Sequence, residues 1–296
     1  VFFLRYTLRD YLRLAEIGNR LRGVFDLWNY REIVFPAVEE YSESIRKGTK
    51  FAHNNEFYVI CPDATSRIIR DFNNGEARIY YISEVLDGEI HGVWEAGVEL
   101  IGGREPDMYV EVPSVLITAL ESLGIEDFYI DVGSVKVWEE ATRGIEPFRE
   151  EVRRALLTRN FGIIESLPIS AGRKRALWRL FNFRGKRSGV EKLDAIAELL
   201  GDERVFLDFG TVRPLPYYTD VIFEVYSPRL GKPLGGGGEY LVGNKKAIGF
   251  ALDLGALLKL YRGRERKRQV LTGEPGEVYR RARELVKMGI PVEVRP

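Results

Sequence analysis

The 296 residues carry 44 Lys+Arg against 44 Asp+Glu, with 45% hydrophobic and 30% charged. This is the mix of an ordinary globular chain, long enough for one large domain or a core with a small satellite; zero net charge gives no global pull on a polyanion, and no apolar run reaches the roughly 20 residues of a membrane helix. The single cysteine, Cys61, excludes an internal disulfide, and the two histidines, His53 and His91, make no zinc-type grouping, so no metal is expected.

The opening VFFLRYTLRDYLRL is apolar but interrupted by Arg5, Arg9 and Asp10, without the order of a signal peptide, so a cytoplasmic location is expected. Leu14, Ile17, Leu21 and Val24 recur at helical spacing and predict a helix over 8–27. YREIVFPAVEEY (30–41) has strand character, with Pro36 suited to an end, an edge or a bulge. EFYVICP (56–62) is a strand stopped by Pro62, and a short helix follows over 65–72. ARIYYISEVL (77–86) and GVWEAGVELIG (92–102) form a hairpin through a turn at Asp87-Gly88. A helix is predicted over 113–123, with Pro113 in its first turn and Gly124 as its stop. DFYIDVG (127–133) is the next strand.

From 145 to 204 charged helical segments dominate, clearest at 149–157 and 190–200. Strands resume at 205–210, 217–227 and 239–243, and 248–260 is predicted as a glycine-led apolar helix. The last stretch has the pattern strand, helix, strand, with Val278, Ala282 and Leu285 on one face and Gly289 as the stop.

Strands joined by hairpins as often as by helices predict an α+β fold, a mostly antiparallel sheet flanked by helices. The chain divides into a core of 1–144 and 205–262, a helical insertion of 145–204 and a short C-terminal piece of 263–296. In LGGGGEYLVG (234–243) no GK[ST] follows the four glycines, so it is not a P-loop, and the surrounding pattern is not that of a dinucleotide fold. Residues 173–187 hold seven basic side chains and no acidic one, either solvated helix faces or a docking surface for an acidic partner or RNA.

Six patches, in order, resemble the histidyl-tRNA synthetase family. YREIVFPAVEEY is similar to its first class II motif, CPDATSRIIR to its R-P-E/D-x-T segment, and RIYYISEVL with GVWEAGVELIGG to its second motif and the strand after it. RPLPYYTDVIFEVYS, LGGGGEYLVG and KAIGFALDLGALL are similar to R-G-L-D-Y-Y-T, A-G-G-G-R-Y-D and G-F-A-x-G-x-E-R. The resemblance covers most of 8–260 and implies a class II aminoacyl-tRNA synthetase-like core that dimerises through the first motif around Pro36.

It also implies an amino-acid pocket. By resemblance Arg213 takes the carboxylate of histidine, Asp63 and Thr65 its ammonium, and Glu99 its imidazole, with Tyr218 facing the ligand while Tyr217 packs. Glu95, often Gln in the family, joins the pocket, and Gly236 and Gly237 form its floor. Taken singly, Arg213 could be an ordinary ion pair and the two tyrosines plain core; His91 is read as a turn residue and Cys61 as a small buried hydrophobe.

The departures from the family are equally specific. No arginine follows Val85 and Leu86 in the second motif, and the third motif has Gly255 and Ala256 where the family has Glu and the arginine that stabilises the γ-phosphate. Without those cations no adenylate is expected, so no catalytic residue is named. Glu239 replaces the arginine after the glycines, as in the related regulatory subunits of the short-form ATP phosphoribosyltransferase. That resemblance implies a non-catalytic partner of the short catalytic subunit, with histidine as effector, no cofactor, and nucleic acid not expected. A free-standing histidine- or tRNA-binding paralogue, or a truncated synthetase with residual adenylate formation, stays open.

Overall fold

A computed structural model describes residues 6–45, 47–72, 75–86, 92–211, 217–263 and 268–295. The chain forms two compact units, 1–261 and 262–296. No helix among the described residues is long and apolar enough to cross a membrane.

The first unit begins with α1 (Leu8–Leu27), started by a reciprocal cap in which Thr7 Oγ1 accepts from the Asp10 N–H (3.2 Å) and Asp10 Oδ2 from the Thr7 N–H (2.9 Å). β1 (Arg31–Glu32), β2 (Val38–Glu40), β3 (Thr49–His53), β4 (Glu56–Ile60), α2 (Ala64–Asp71), β5 (Ala77–Leu86), β6 (Gly92–Ile101) and α3 (Asp107–Ser122) follow. Next come β7 (Tyr129–Ser134), α4 (Val135–Ala141), α5 (Arg149–Leu157), α6 (Gly162–Ser166), α7 (Ala171–Phe181), β8 (Arg184–Gly185) and α8 (Glu191–Leu200). The unit closes with β9 (Val205–Asp208), β10 (Tyr218–Tyr226), β11 (Pro233–Val242), β12 (Lys245–Asp253) and α9 (Leu254–Leu260).

Nine strands make one sheet in the order β1-β5-β6-β12-β11-β10-β7-β9-β8, and β2-β4-β3 make a small second sheet. Only β1·β5 and β7·β9 are parallel pairs in the large sheet, so the expected mostly antiparallel α+β architecture holds. One face of the sheet, carrying Val98, Leu100, Ile248, Phe250 and Leu252, packs under α1, α3, α8 and α9 in a single apolar core. Because side chains alternate along a strand, Glu95, Gly97 and Glu99 of β6 and Gly249, Ala251 and Asp253 of β12 point to the opposite face. That face holds the site.

Several elements differ from the sequence expectation. Residues 248–260 are not one helix: β12 runs to Asp253, and the helix begins only at Leu254, where Asp253 Oδ1 accepts from the Ala256 N–H at 2.9 Å. The run AIGFAL is apolar on both faces because it is a central strand, and periodicity alone does not separate such a strand from a buried helix. The 30–41 stretch is split into two short strands on either side of Pro36, which has no N–H for a ladder. α3 starts at Asp107, and Pro113 sits inside it rather than in its first turn. The Asp87-Gly88 turn and His91 lie outside the described residues.

The span 145–204 is helical but not uniform in its packing. Residues from Ile145 to Phe181 build a small core of their own around Val152, Leu156, Ile164, Leu177 and Phe181. β8 and α8 join the main body: β8 pairs with β9, and Leu193 and Ile196 enter the main core. The second unit is a parallel pair, β13 (Gln269–Leu271) with β14 (Val292–Val294), joined by α10 (Pro275–Lys287), which buries Val278, Ala282 and Leu285.

Candidate functional site

A cavity of about 130 Å³ lies on the open face of the sheet, between β6, β12, β11 and the start of α2. Drug-sized ligand sites occupy roughly 300–1,000 Å³, so this one suits a single small molecule such as an amino acid. Its wall contains Asp63, Thr65, Glu95, Glu99, Tyr217, Tyr218 and Gly236, all anticipated from the sequence. Gly237 does not line it, and Arg213 lies outside the described residues.

Glu99 is the centre of the site. It is buried, and both carboxyl oxygens accept hydrogen bonds, Oε1 from Thr65 Oγ1 (2.9 Å) and Oε2 from the Tyr240 hydroxyl (2.8 Å). Burial pushes its titration up to about 8, against the opposing pull of those two hydrogen bonds and with a further rise from the charge of Asp63. Desolvation therefore favours the protonated form of Glu99, and a cationic ligand group beside it would favour the ionised form. Asp63 is fixed by the backbone: Oδ1 caps α2 by accepting from the Ser66 N–H (2.9 Å), and Oδ2 accepts from the Lys47 N–H (3.2 Å). Its position follows from the helix start it caps.

Tyr217 and Tyr218 both line the cavity, edge to face with ring centroids 4.8 Å apart. The expectation that one would line and the other pack assumed strand alternation. β10 starts only at Tyr218, so alternation does not govern Tyr217. Sequence reasoning missed Tyr240, Tyr81 and Lys47. Tyr240 was legible in principle, since it lies two residues beyond Gly238 on the same face of β11.

The glycines answer to two demands. Gly235, Gly236 and Gly238 line the cavity. At Gly237 a Cβ would sit 1.8 Å from the Gly249 carbonyl oxygen, so its bareness is required by the close approach of β12. Gly249 is constrained from the site itself: its Cβ would lie 1.7 Å from Glu99 Oε2 and 2.5 Å from the Val98 carbonyl oxygen. Gly249→Ala should displace the buried carboxyl and destabilise the chain by about 1–3 kcal/mol, the usual range for overpacking. Urea unfolding checks it, and an unchanged midpoint would show that Glu99 is not held where we find it.

Glu239 lies on the other face of β11, away from the cavity. It is buried, and it accepts from Thr219 Oγ1 (2.7 Å), from the Tyr109 hydroxyl and from Lys192 Nζ (3.5 Å). Lys192 also reaches Asp220 Oδ2 (2.8 Å) and lies over the Tyr109 ring, and Asp220 Oδ1 accepts from Ser134 Oγ (2.7 Å). Burial raises the titration of Asp220, but the hydrogen bonds from Lys192 and Ser134 outweigh it and hold the carboxyl below its usual range. This hub ties α3, β7, α8, β10 and β11 together beneath the floor of the cavity.

Four of the seven basic side chains in 173–187 are engaged within the chain. Arg173 and Lys174 donate to the carbonyls of Ala141 and Glu165, Arg184 to Asp131, and Lys186 to the carbonyls of Glu203 and Val205. A second groove of about 690 Å³ runs along Phe35, Pro36, Glu39, Arg67 and Arg70, with Val34 strongly exposed beside Phe35. Arg67 Nε stands 3.2 Å from Glu39 Oε1 within it.

The histidyl-tRNA synthetase profile matches residues 6–257. The chain belongs to the histidyl-tRNA synthetase family. An ATP phosphoribosyltransferase regulatory subunit of Rubrobacter xylanophilus is 30% identical over 95% of this chain and 81% of its own. The histidine–tRNA ligase of Methanocaldococcus jannaschii is 25% identical over 76% of this chain and 64% of its own. A structure described as an ATP phosphoribosyltransferase regulatory subunit/histidyl-tRNA synthetase from Bacillus halodurans superimposes with a TM-score of 0.81 at 25% identity, covering 100% of this chain and 92% of that one. Within the histidyl-tRNA synthetase family this chain is similar to its regulatory branch. Ala256, at the start of α9, is fully buried in the main core.

Proposed function

We propose that this chain is a non-catalytic regulatory subunit of ATP phosphoribosyltransferase. It assembles in the cytoplasm with the short-form catalytic subunit, is required for its activity and transmits feedback inhibition by histidine. One observation carries the reading: the chain holds an amino-acid-sized cavity built around the buried Glu99; Ala256, which by resemblance stands for the third-motif arginine, supports it. The kinship with regulatory subunits supports it. In this reading Glu99 takes the imidazole of histidine and favours its charged form, Asp63 and Thr65 take the ammonium, Arg213 belongs to the carboxylate, and Glu95, Tyr217, Tyr218 and the bare floor at Gly236 complete the pocket. Feedback requires histidine to bind the active and inhibited states of the assembly unequally.

The unit of assembly is a homodimer through the Pro36 region. Exposed Val34 and Val38 and the adjoining groove support this. Mixing the chain with the short catalytic subunit should give a hetero-oligomer by sedimentation, a gain in phosphoribosyl transfer over the catalytic subunit alone, and reversal of that gain by histidine. Neither complex nor gain would reject the reading.

The Methanocaldococcus ligase relative keeps a second reading in view, a truncated synthetase. It requires amino-acid-dependent ATP–pyrophosphate exchange, and we expect none.

A further inference from the structure

Among the described residues lining the cavity there are four carboxyl groups, Asp63, Glu95, Glu99 and Asp253, and one cation, Lys47. Lys47 has no role in the resemblance. Its backbone is nonetheless placed from two sides. Its N–H donates to Asp63 Oδ2 at 3.2 Å, the same carboxyl whose other oxygen caps α2. Gly48, next in the chain, has φ +122°, and a Cβ there would lie 2.4 Å from Val59 Cγ2 and 3.1 Å from the Pro62 Cα. Only glycine fits this turn against β4 without strain. So β4 and α2, which set Asp63 and Thr65, also set Lys47. A lysine whose backbone is fixed by a built turn starts from a fixed place in the wall, and less freedom is lost when a ligand meets it.

The charge pattern selects a class of ligand. A simple amine would answer the carboxyl groups and leave Lys47 repelling it. A molecule with a cationic end and a carboxylate answers both. We infer that Lys47 is a second receiver of the ligand's carboxylate, beside the role proposed for Arg213, and so makes the cavity discriminate an α-amino acid from the corresponding amine. This rests on the reading of the cavity as a histidine site.

The test is calorimetric titration of the full chain with L-histidine and with histamine, which is histidine without its carboxylate. The wild-type chain should bind histidine at least about tenfold more tightly than histamine, the span of one charge-assisted hydrogen bond. Lys47→Met should weaken histidine by about tenfold and leave histamine within about twofold, narrowing the discrimination by that factor. Lys47→Arg should restore most of it. An equal loss for both ligands would show a purely structural Lys47 and overturn the inference, as would histidine binding unchanged by Lys47→Met. If the wild-type chain binds neither ligand, the histidine reading of the cavity fails, and this inference fails with it.

Discussion

Glu99→Gln should stabilise the chain at pH 8 and at the same time weaken histidine binding. The sign follows from the direction of the shift. The Glu99 carboxyl titrates near 4.5 when unfolded and is pushed up to about 8 by burial when folded. Between those values the folded chain holds the proton and the unfolded chain does not. Folding stability therefore falls as pH rises through this window, by up to about 1.4 kcal/mol per pH unit, and levels off above about 8. Gln has nearly the same shape, accepts through its oxygen, and can donate to the Thr65 or Tyr240 hydroxyl. It carries no charge to desolvate, so the variant should lack this pH slope. The difference between variant and parent should grow by up to about 4 kcal/mol from pH 5 to pH 8 in urea unfolding. Histidine affinity should drop at least about tenfold, because the cationic group loses its ionised partner. Parallel pH profiles for the two proteins would show that Glu99 is ionised at ordinary cost, and the account of the cavity would fail.

The second large effect is expected on the opposite face of the sheet. Lys192→Met leaves buried Glu239 and Asp220 without the cation that lies between them. Removing one partner of a buried pair is strongly destabilising, because the remaining charge stays desolvated. Here the loss should be about 3 kcal/mol, at the lower end of that range, since Lys192 keeps some solvent contact, Lys136 still reaches Asp220 Oδ2 (3.2 Å), and the Tyr109, Thr219 and Ser134 hydroxyls still donate to the two acids. Adding Glu239→Gln to Lys192→Met should recover a measurable part of the loss, and a double-mutant cycle reads this coupling directly. Additive effects in that cycle would remove the ion pair from the account of stability. Glu239 lies between Gly238 and Tyr240, which both face the cavity, so the doubly substituted chain also reports whether the hub holds the cavity floor in shape.

The hairpin strands β5 and β6, the opening helix α1, and helices α5 and α8 were legible because their periods are clean and their ends carry stop signals. The candidate site was legible mainly through motif order: Asp63, Thr65, Glu95, Glu99, Tyr217, Tyr218 and Gly236 come from four separated segments and meet in one cavity. β12 was misread as helix because a central strand buried on both faces shows no alternation. Lys47 was invisible because nothing in KGTK marks its neighbour glycine as a turn pressed against β4. Gly237 was grouped with the floor because a run of four identical residues hides the period of two. Its neighbours face the cavity, whereas a side chain at Gly237 would meet the backbone of β12.

The sequence by itself determined the fold class and the resemblance to the family, because these depend on residue type and spacing along the chain. Only the tertiary structure decided that Glu99 is buried, where desolvation pushes its titration up, and that Glu239 belongs to a separate hub behind the floor. It also placed Lys47 in the wall of the cavity. Those properties depend on desolvation and on which face of a strand a side chain takes. Both are set by residues far away in sequence: Tyr240 over Glu99, and Lys192 and Tyr109 over Glu239.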